Sequence, residues 1–205
     1  MIAQQPIHIK NLGIQEYRDT LQAMQDYTQT RDAQSPDQLW IVEHPPVYSL
    51  GLAIKREHLL NTRDIPVVQS DRGGQVTYHG PGQLVVYTLL DIQRLQLNVR
   101  QLVSILENAM LQTLAQYGIR ATATPDAPGV YVADKKIGSI GLRVKKGCCY
   151  HGLSLNNAMD LSPFNGINTC GFSDLEVTQL ANLGVHIQTH ELAIPIIHAI
   201  TETLS

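Results

Sequence analysis

Residues 129–155 read GVYVADKKIGSIGLRVKKGCCYHGLSL, and their pattern decides the fold. Three runs within them, Gly129 to Val132, Lys136 to Lys145 and Cys148 to Leu155, read as consecutive strands. Leu142 and Val144 face one way and Arg143 and Lys145 the other, as a pleated strand requires. Adjacent Cys148 and Cys149 then point to opposite faces and read as packing residues. Immediately before this block, Val99, Leu102, Val103, Leu106, Met110, Thr113, Leu114 and Tyr117 line one helical face, with Gly118 where a C-terminal cap belongs. Further out, IHIK (7–10) alternates like a strand. After Gly13 the positions Ile14, Tyr17, Leu21, Met24 and Tyr27 predict an amphipathic helix. LWIVEH (39–44), PVYSL (46–50) and PVVQS (66–70) are short strand-like runs punctuated by Pro and Gly. Gln75 to His79 and Leu84 to Asp91 predict a hairpin around Gly80-Pro81-Gly82. The tail from about Glu191 to Leu204 reads as a last helix, with Pro195 in its first turn or kinking it. Regular βαβ alternation is missing. The fold class expected is therefore α+β, a single domain over residues 1–205 with a mixed or antiparallel sheet flanked by helices.

Composition narrows the function. Of 205 residues, 43% are hydrophobic and 16% charged, which is a folding chain rather than a disordered one. A net charge of −3 removes the basic field that drives nucleic-acid binding. Three Cys, an odd number, argue against a disulfide framework and for a reducing compartment. The opening MIAQQPIHIK has neither a basic n-region nor an apolar h-region. The longest apolar stretch, Leu84 to Leu90, is far short of the roughly 18 residues of a membrane span. The expectation is a cytoplasmic protein without membrane or nucleic-acid partners.

Several chemistries lack their motifs. There is no G-x-x-x-x-G-K-[ST], no G-x-S-x-G, no H-E-x-x-H and no C-x-x-C. Val85 stands where a dinucleotide fingerprint started at Gly80 needs its third Gly. The His and Cys residues are scattered, so neither metal nor cofactor is implied.

Three segments remain. In Asp71-Arg72-Gly73-Gly74-Gln75-Val76-Thr77-Tyr78-His79-Gly80-Pro81-Gly82-Gln83, paired glycines let backbone N–H groups approach a ligand. Arg72, Thr77, Tyr78 and His79 add donors suited to a carbonyl or carboxylate. The plain alternative is a turn whose glycines only reverse the chain. In Asp134-Lys135-Lys136-Ile137-Gly138-Ser139-Ile140-Gly141, a lysine entering a strand of small residues can lie on a pocket floor and act as a base. Lys136, beside the apolar strand, fits that role, and Lys135 then points to solvent. A surface lysine pair is the alternative. In Asn165-Gly166-Ile167-Asn168-Thr169-Cys170-Gly171, a single Cys sits on a polar turn, where a nearby ammonium would favour its thiolate. An incidental loop thiol is the competing reading there.

Together, RGGQVTYHGPGQLVVY, APGVYVADKKIGSIGLRV and HGLSLNNAMDLSPFNGINTCG resemble the lipoyl(octanoyl) transferases of the biotin/lipoate ligase superfamily, over about Trp40 to Gly171. The resemblance implies transfer of an octanoyl or lipoyl group from octanoyl-acyl carrier protein to a lysine of lipoyl domains, in protein lipoylation and lipoate biosynthesis. The acceptors it implies are the 2-oxoacid dehydrogenase complexes and the glycine cleavage H protein. It implies a thioester acyl-enzyme on Cys170, with Lys136 lowering the thiol pKa and shuttling protons. The acyl-binding set carried over is Arg72, Gly73, Gly74, Gln75, Val76, Thr77, Tyr78 and His79, then Ser139, Ile140 and Gly141, then Gly152, Leu153 and Ser154. His44, in EHPPVYSLG, matches a further segment without a definite role. This sequence departs from the family at Thr169 and Thr88, where Pro is common, and at Ser154, where a small apolar residue is usual. Arg143 to Lys146 and Lys55-Arg56 offer basic patches for an acidic carrier protein. Two other readings stay open: an ATP-using lipoate or biotin ligase, and a non-catalytic acyl-binding or carrier-docking module.

Overall fold

The computed structural model describes residues 6–124, 127–171 and 175–204, and of Arg56 and Cys170 the backbone only. Its frame is a seven-stranded sheet built from β1 (His8–Ile14), β2 (Gln38–Glu43), β6 (Gln83–Asp91), β7 (Thr122–Ala123), β8 (Gly129–Val132), β9 (Lys135–Lys145) and β10 (Cys148–Asn156). The spatial order is β1-β2-β6-β10-β9-β8-β7. β1 runs parallel to β2, and the remaining neighbours are antiparallel. A second sheet of three strands, β3 (Val47–Leu50), β4 (Val67–Gln69) and β5 (Val76–His79), has the order β4-β3-β5. Both sheets are mixed, and with the three α-helices of the described residues they form the α+β arrangement expected.

Central strand β6 shows why an unbroken apolar run was needed. Leu84, Val86 and Leu90 point into a core covered by α2 (Val99–Gln116) and α3 (Thr189–Leu204), while Val85, Tyr87 and Leu89 point to the opposite core, under α1 (Tyr17–Thr30). A strand buried on both faces has no polar side to display. Truncating any of its three leucines to Ala is expected to cost about 2–5 kcal/mol. Helix α2 begins with a reciprocal capping box between Asn98 and Gln101, at 2.9 Å in each direction.

Three expectations change. β5 and β6 are not a hairpin: β5 pairs with β3 and β6 with β2 and β10, so Gly80-Pro81-Gly82 carries the chain from one sheet to the other. The turn is bolted down on both sides. Gly82 N–H donates to Glu43 Oε2 at 2.7 Å, and its carbonyl accepts from Asn157 and Ala158. A Cβ at Gly82 would lie 2.1 Å from the Ala158 oxygen, so the Gly is required by contact, not by a hairpin. Secondly, β1 extends through Gly13, and exposed Ile14 ends the strand instead of opening the helix, which begins at Tyr17. Thirdly, α3 starts two residues earlier than the apolar pattern suggested, so Pro195 falls inside the helix beyond its first turn. Among the described residues no helix is long and apolar enough to cross a membrane.

Candidate active site

A cleft of about 490 Å³ lies between the sheets, within the ordinary range for small-ligand sites. Its walls come from the Arg72–Thr77 loop and strand, from His79, Val85 and Tyr87, and from residues 139–142 of β9 and 151–154 of β10. Val99 and Val103 of α2, with Ala127, Pro128, Lys136 and Tyr17, complete it. Of the residues expected to bind an acyl group, Arg72, Gly73, Gly74, Gln75, Val76, Thr77, His79, Ser139, Ile140, Gly141, Gly152, Leu153 and Ser154 line this cleft. Tyr78 does not. Alternation along β5 turns its ring into a cluster with Tyr48 and Phe164.

Close approach explains the glycines. Gly152 sits where a Cβ would lie 2.0 Å from the Val86 carbonyl, and Gly138 where it would meet the Met110 sulfur at 2.5 Å. Gly73 N–H is already committed to the Leu142 carbonyl at 2.8 Å, stitching the small-sheet loop to β9. Arg72 is likewise inward-facing: its guanidinium donates to the Ser49 carbonyl at 2.6 Å, to Ser49 Oγ, and to the Gly73 carbonyl at 3.0 Å. Both groups hold the wall of the cleft together.

Lys136 is 2% exposed, whereas Lys135 points outward and pairs with Glu176 at 2.5 Å. A bulge separates them from regular pairing. Val130 faces Gly138 but Tyr131 faces Lys136, so β9 carries one extra residue at Ile137. Lys136 and Ile137 are consequently both buried, one at the cleft and one in the core. The Lys136 ammonium donates to the Pro128 carbonyl at 3.0 Å and stands 5.2 Å from the centre of the Tyr131 ring. Its own backbone is fixed by the Glu176 carbonyl and the Thr178 N–H.

Cys170 lies in a single 3₁₀ turn, Thr169–Gly171, and its side chain is outside the described residues. The turn is anchored to the segment before β4. Asn168 N–H donates to the His58 carbonyl at 2.9 Å, and Leu60 and Asn61 both donate to the Gly166 carbonyl. A Cβ built on Gly171 would lie 3.3 Å from Gln75 Cγ, which puts the turn against the loop that leads into β5.

The remaining cleft wall was missed by sequence reasoning. His151 has φ of 64° in the middle of β10. That left-handed backbone breaks the alternation and stacks His151 on its neighbour Tyr150, with ring centres 5.1 Å apart, on the cleft side of the sheet. Its Nε2 lies 2.9 Å from Asp71 Oδ1, and Tyr150 donates to the other carboxylate oxygen. Burial pushes the His151 imidazole down, so it is neutral at pH 7 and gives its Nε2–H to Asp71. Burial acts to raise the Asp71 carboxyl, but the hydrogen bonds from His151, Tyr150 and Gln25 outweigh it and hold the group well below the carboxylate range. The two directions agree for a carboxylate beside a neutral ring.

His44 completes this wall from behind. Its Nδ1 donates to the Gln15 carbonyl and its Nε2 accepts from Tyr87, each at 2.7 Å. His79 stacks on Tyr17 and bonds Gln83 and Ser49. Burial drives His44 down to about 4, and burial with the neighbouring His44 drives His79 down to about 3. Of this wall, the sequence had offered His79 in the expected binding set, Asp71 in the Gly-rich segment and His44 in a family segment; His151 and Tyr150 carried no such signal. Among the described residues no group of three His, Cys, Asp or Glu is placed to hold a metal ion.

The model of one protein family, the lipoyl protein ligase A/B catalytic domain, matches residues 16–201. An octanoyltransferase of Shewanella frigidimarina is 60% identical over 180 residues, covering 88% of this chain and 83% of that protein. One from Shewanella sediminis is 57% identical over 183 residues, covering 89% and 84%. Among solved structures, a lipoate-protein ligase A bound with ATP superposes with a TM-score of 0.80 at 15% identity, covering 98% of this chain and 86% of that one. The bipartite lipoate protein ligase of Thermoplasma acidophilum gives 0.73 at 14% identity, covering 97% and 84%. At such identities these two likenesses concern the fold.

Proposed function

Because the chain belongs to the lipoyl protein ligase A/B catalytic-domain family, we propose that it transfers an octanoyl group from acyl carrier protein to a lysine of lipoyl domains, by way of a thioester on Cys170. The enzyme class, acyltransferase, is that of the octanoyltransferases it matches at 56–60% identity. The observation that carries the reading is the enclosure of the Lys136 ammonium in a largely apolar cleft, between the Pro128 carbonyl and the Tyr131 ring.

The chemistry follows from those groups. The Cys170 thiolate attacks the carrier's thioester carbonyl, the new carbon–sulfur bond forms, and the carrier thiol leaves with a proton. A lipoyl-domain amine then attacks the acyl-cysteine, an amide forms, and the Cys170 sulfur is released. Each step moves one proton, and Lys136 is the group in the cleft suited to take it and return it. The acyl chain lies along Ile140, Leu142, Val85 and Leu153, where its methylenes leave water. Activation is already present in the thioester, so no nucleotide is consumed. The exposed ends at Lys145 and Lys146, with Lys55, give an acidic carrier its approach. One catalytic domain working in the cytoplasm, on the lipoyl domains of 2-oxoacid dehydrogenases and the glycine cleavage H protein, completes the reading.

Intact-protein mass measurement after exposure to octanoyl-acyl carrier protein tests it. The expected result is a single octanoyl adduct, absent in Cys170→Ser. Pyrophosphate release dependent on free octanoate and ATP would instead establish a ligase, and a bound but non-covalent acyl group would indicate a binding module.

A further inference from the structure

Glu107 follows Val99 and Val103 at four-residue steps along α2, and those two valines line the cleft. The helical repeat therefore carries an acidic side chain along the same stripe, toward β8. Its Oε1 accepts the Gly129 N–H at 3.0 Å. The other side of that same peptide group is the Pro128 carbonyl, which accepts the Lys136 ammonium at 3.0 Å. A peptide group is rigid and planar, so a carboxylate on its N–H fixes where its carbonyl points. The negative charge also polarises the group and strengthens what the carbonyl accepts.

We propose that Glu107 is a positioning residue for Lys136, acting through the Pro128–Gly129 peptide to hold the amine at its place in the cleft. Two further features serve the same peptide. Gly129 has φ of 137°, and a Cβ there would lie 2.8 Å from Lys136 Cε and 2.5 Å from the Gly138 oxygen. Only a residue without a side chain lets peptide and lysine approach this closely. The Tyr131 hydroxyl donates to the Ala127 carbonyl at 2.9 Å, bracing the segment one residue earlier.

The inference rests on the reading of Lys136 as the proton-handling group, and the test separates the two. Glu107→Gln keeps size and a carbonyl acceptor but removes the charge. Since hydrogen bonds to charged groups are roughly twice as strong as neutral ones, kcat for transfer should fall about five- to tenfold, with KM for the acyl donor unchanged. Alkylation of Cys170 by iodoacetamide, followed at its own peptide by mass spectrometry, remains measurable when transfer is lost. There, Glu107→Gln should slow the wild-type background and add no further loss in Lys136→Ala. A wild-type kcat in Glu107→Gln overturns the inference, as does an equal loss of alkylation in both backgrounds or a rise in KM alone. If Lys136→Ala itself retains transfer, the reading of Lys136 falls, whatever Glu107→Gln does.

Discussion

At the β8 end of the cleft the polar group is an ammonium held by a backbone carbonyl; at the other end imidazoles and phenols are held by one another, by amide and hydroxyl side chains and by the Asp71 carboxylate. The ends are well separated. Leu142, paired with His151, lies six residues along β9 from Lys136, about 20 Å at ~3.3 Å per residue. The ammonium end is a flexible side chain that donates to a backbone carbonyl beside an aromatic ring. The imidazoles of the ring end are neutral and fixed: His44 accepts from Tyr87, His79 is tied to Gln83 and Ser49, and His151 donates to the Asp71 carboxylate. Burial keeps those imidazoles uncharged, beside a carboxylate that its hydrogen bonds keep ionised. The lesson is that similar burial encloses a lysine at one end and a bonded cluster of rings at the other.

The largest expected effect tests that division directly. Lys136→Ala should lower octanoyl transfer by at least a hundredfold, within the ~10²–10⁴ range of general acid–base groups, while leaving the thermal midpoint within a few degrees. A variant that transfers normally would erase the contrast between the ends. The ring end is probed by acid. His44 and His79 have pKa values of about 4 and 3 when folded and about 6.5 when unfolded, so the unfolded chain binds more protons between those values. Stability is therefore full above pH 6.5 and falls as the pH drops. At pH 5 each imidazole should cost about 2 kcal/mol relative to pH 7, read from urea midpoints. A flat profile between pH 7 and 5 would mean the wall is not held neutral. The smallest effect belongs to Lys135→Ala, whose exposed ion pair with Glu176 is worth ~0–1 kcal/mol and whose transfer rate should stay within twofold of wild type. Equal tolerance of Lys135→Ala and Lys136→Ala would refute the assignment of sides on β9.

Much of this was legible in the sequence because period and composition record burial. The α2 stripe, the β9–β10 pair and the inward turn of Lys136 all follow from alternation or helical spacing. The unpaired β5 and β6 were not legible, since a Gly-Pro-Gly turn looks alike whether it closes a hairpin or crosses between sheets. Contact with Glu43 and Ala158 decides between those, and it is made at long range. His151 was hidden for a different reason. Alternation from Cys149 and Leu153 assigns it to the core under α2, and only its positive φ delivers it to Asp71. The bulge at Ile137 is equally silent, although it leaves the sequence-based side for Lys136 correct.

The turn bearing Cys170 is moored to the small-sheet side of the molecule, at His58 and beside Gln75, whereas Lys136 grows from the large sheet. A nascent or partly melted chain whose larger sheet alone has formed would hold Lys136 in its strand while the Cys170 turn still lacked its moorings. The relative placement of the two segments is thus a property of the finished tertiary assembly and not of either sheet alone.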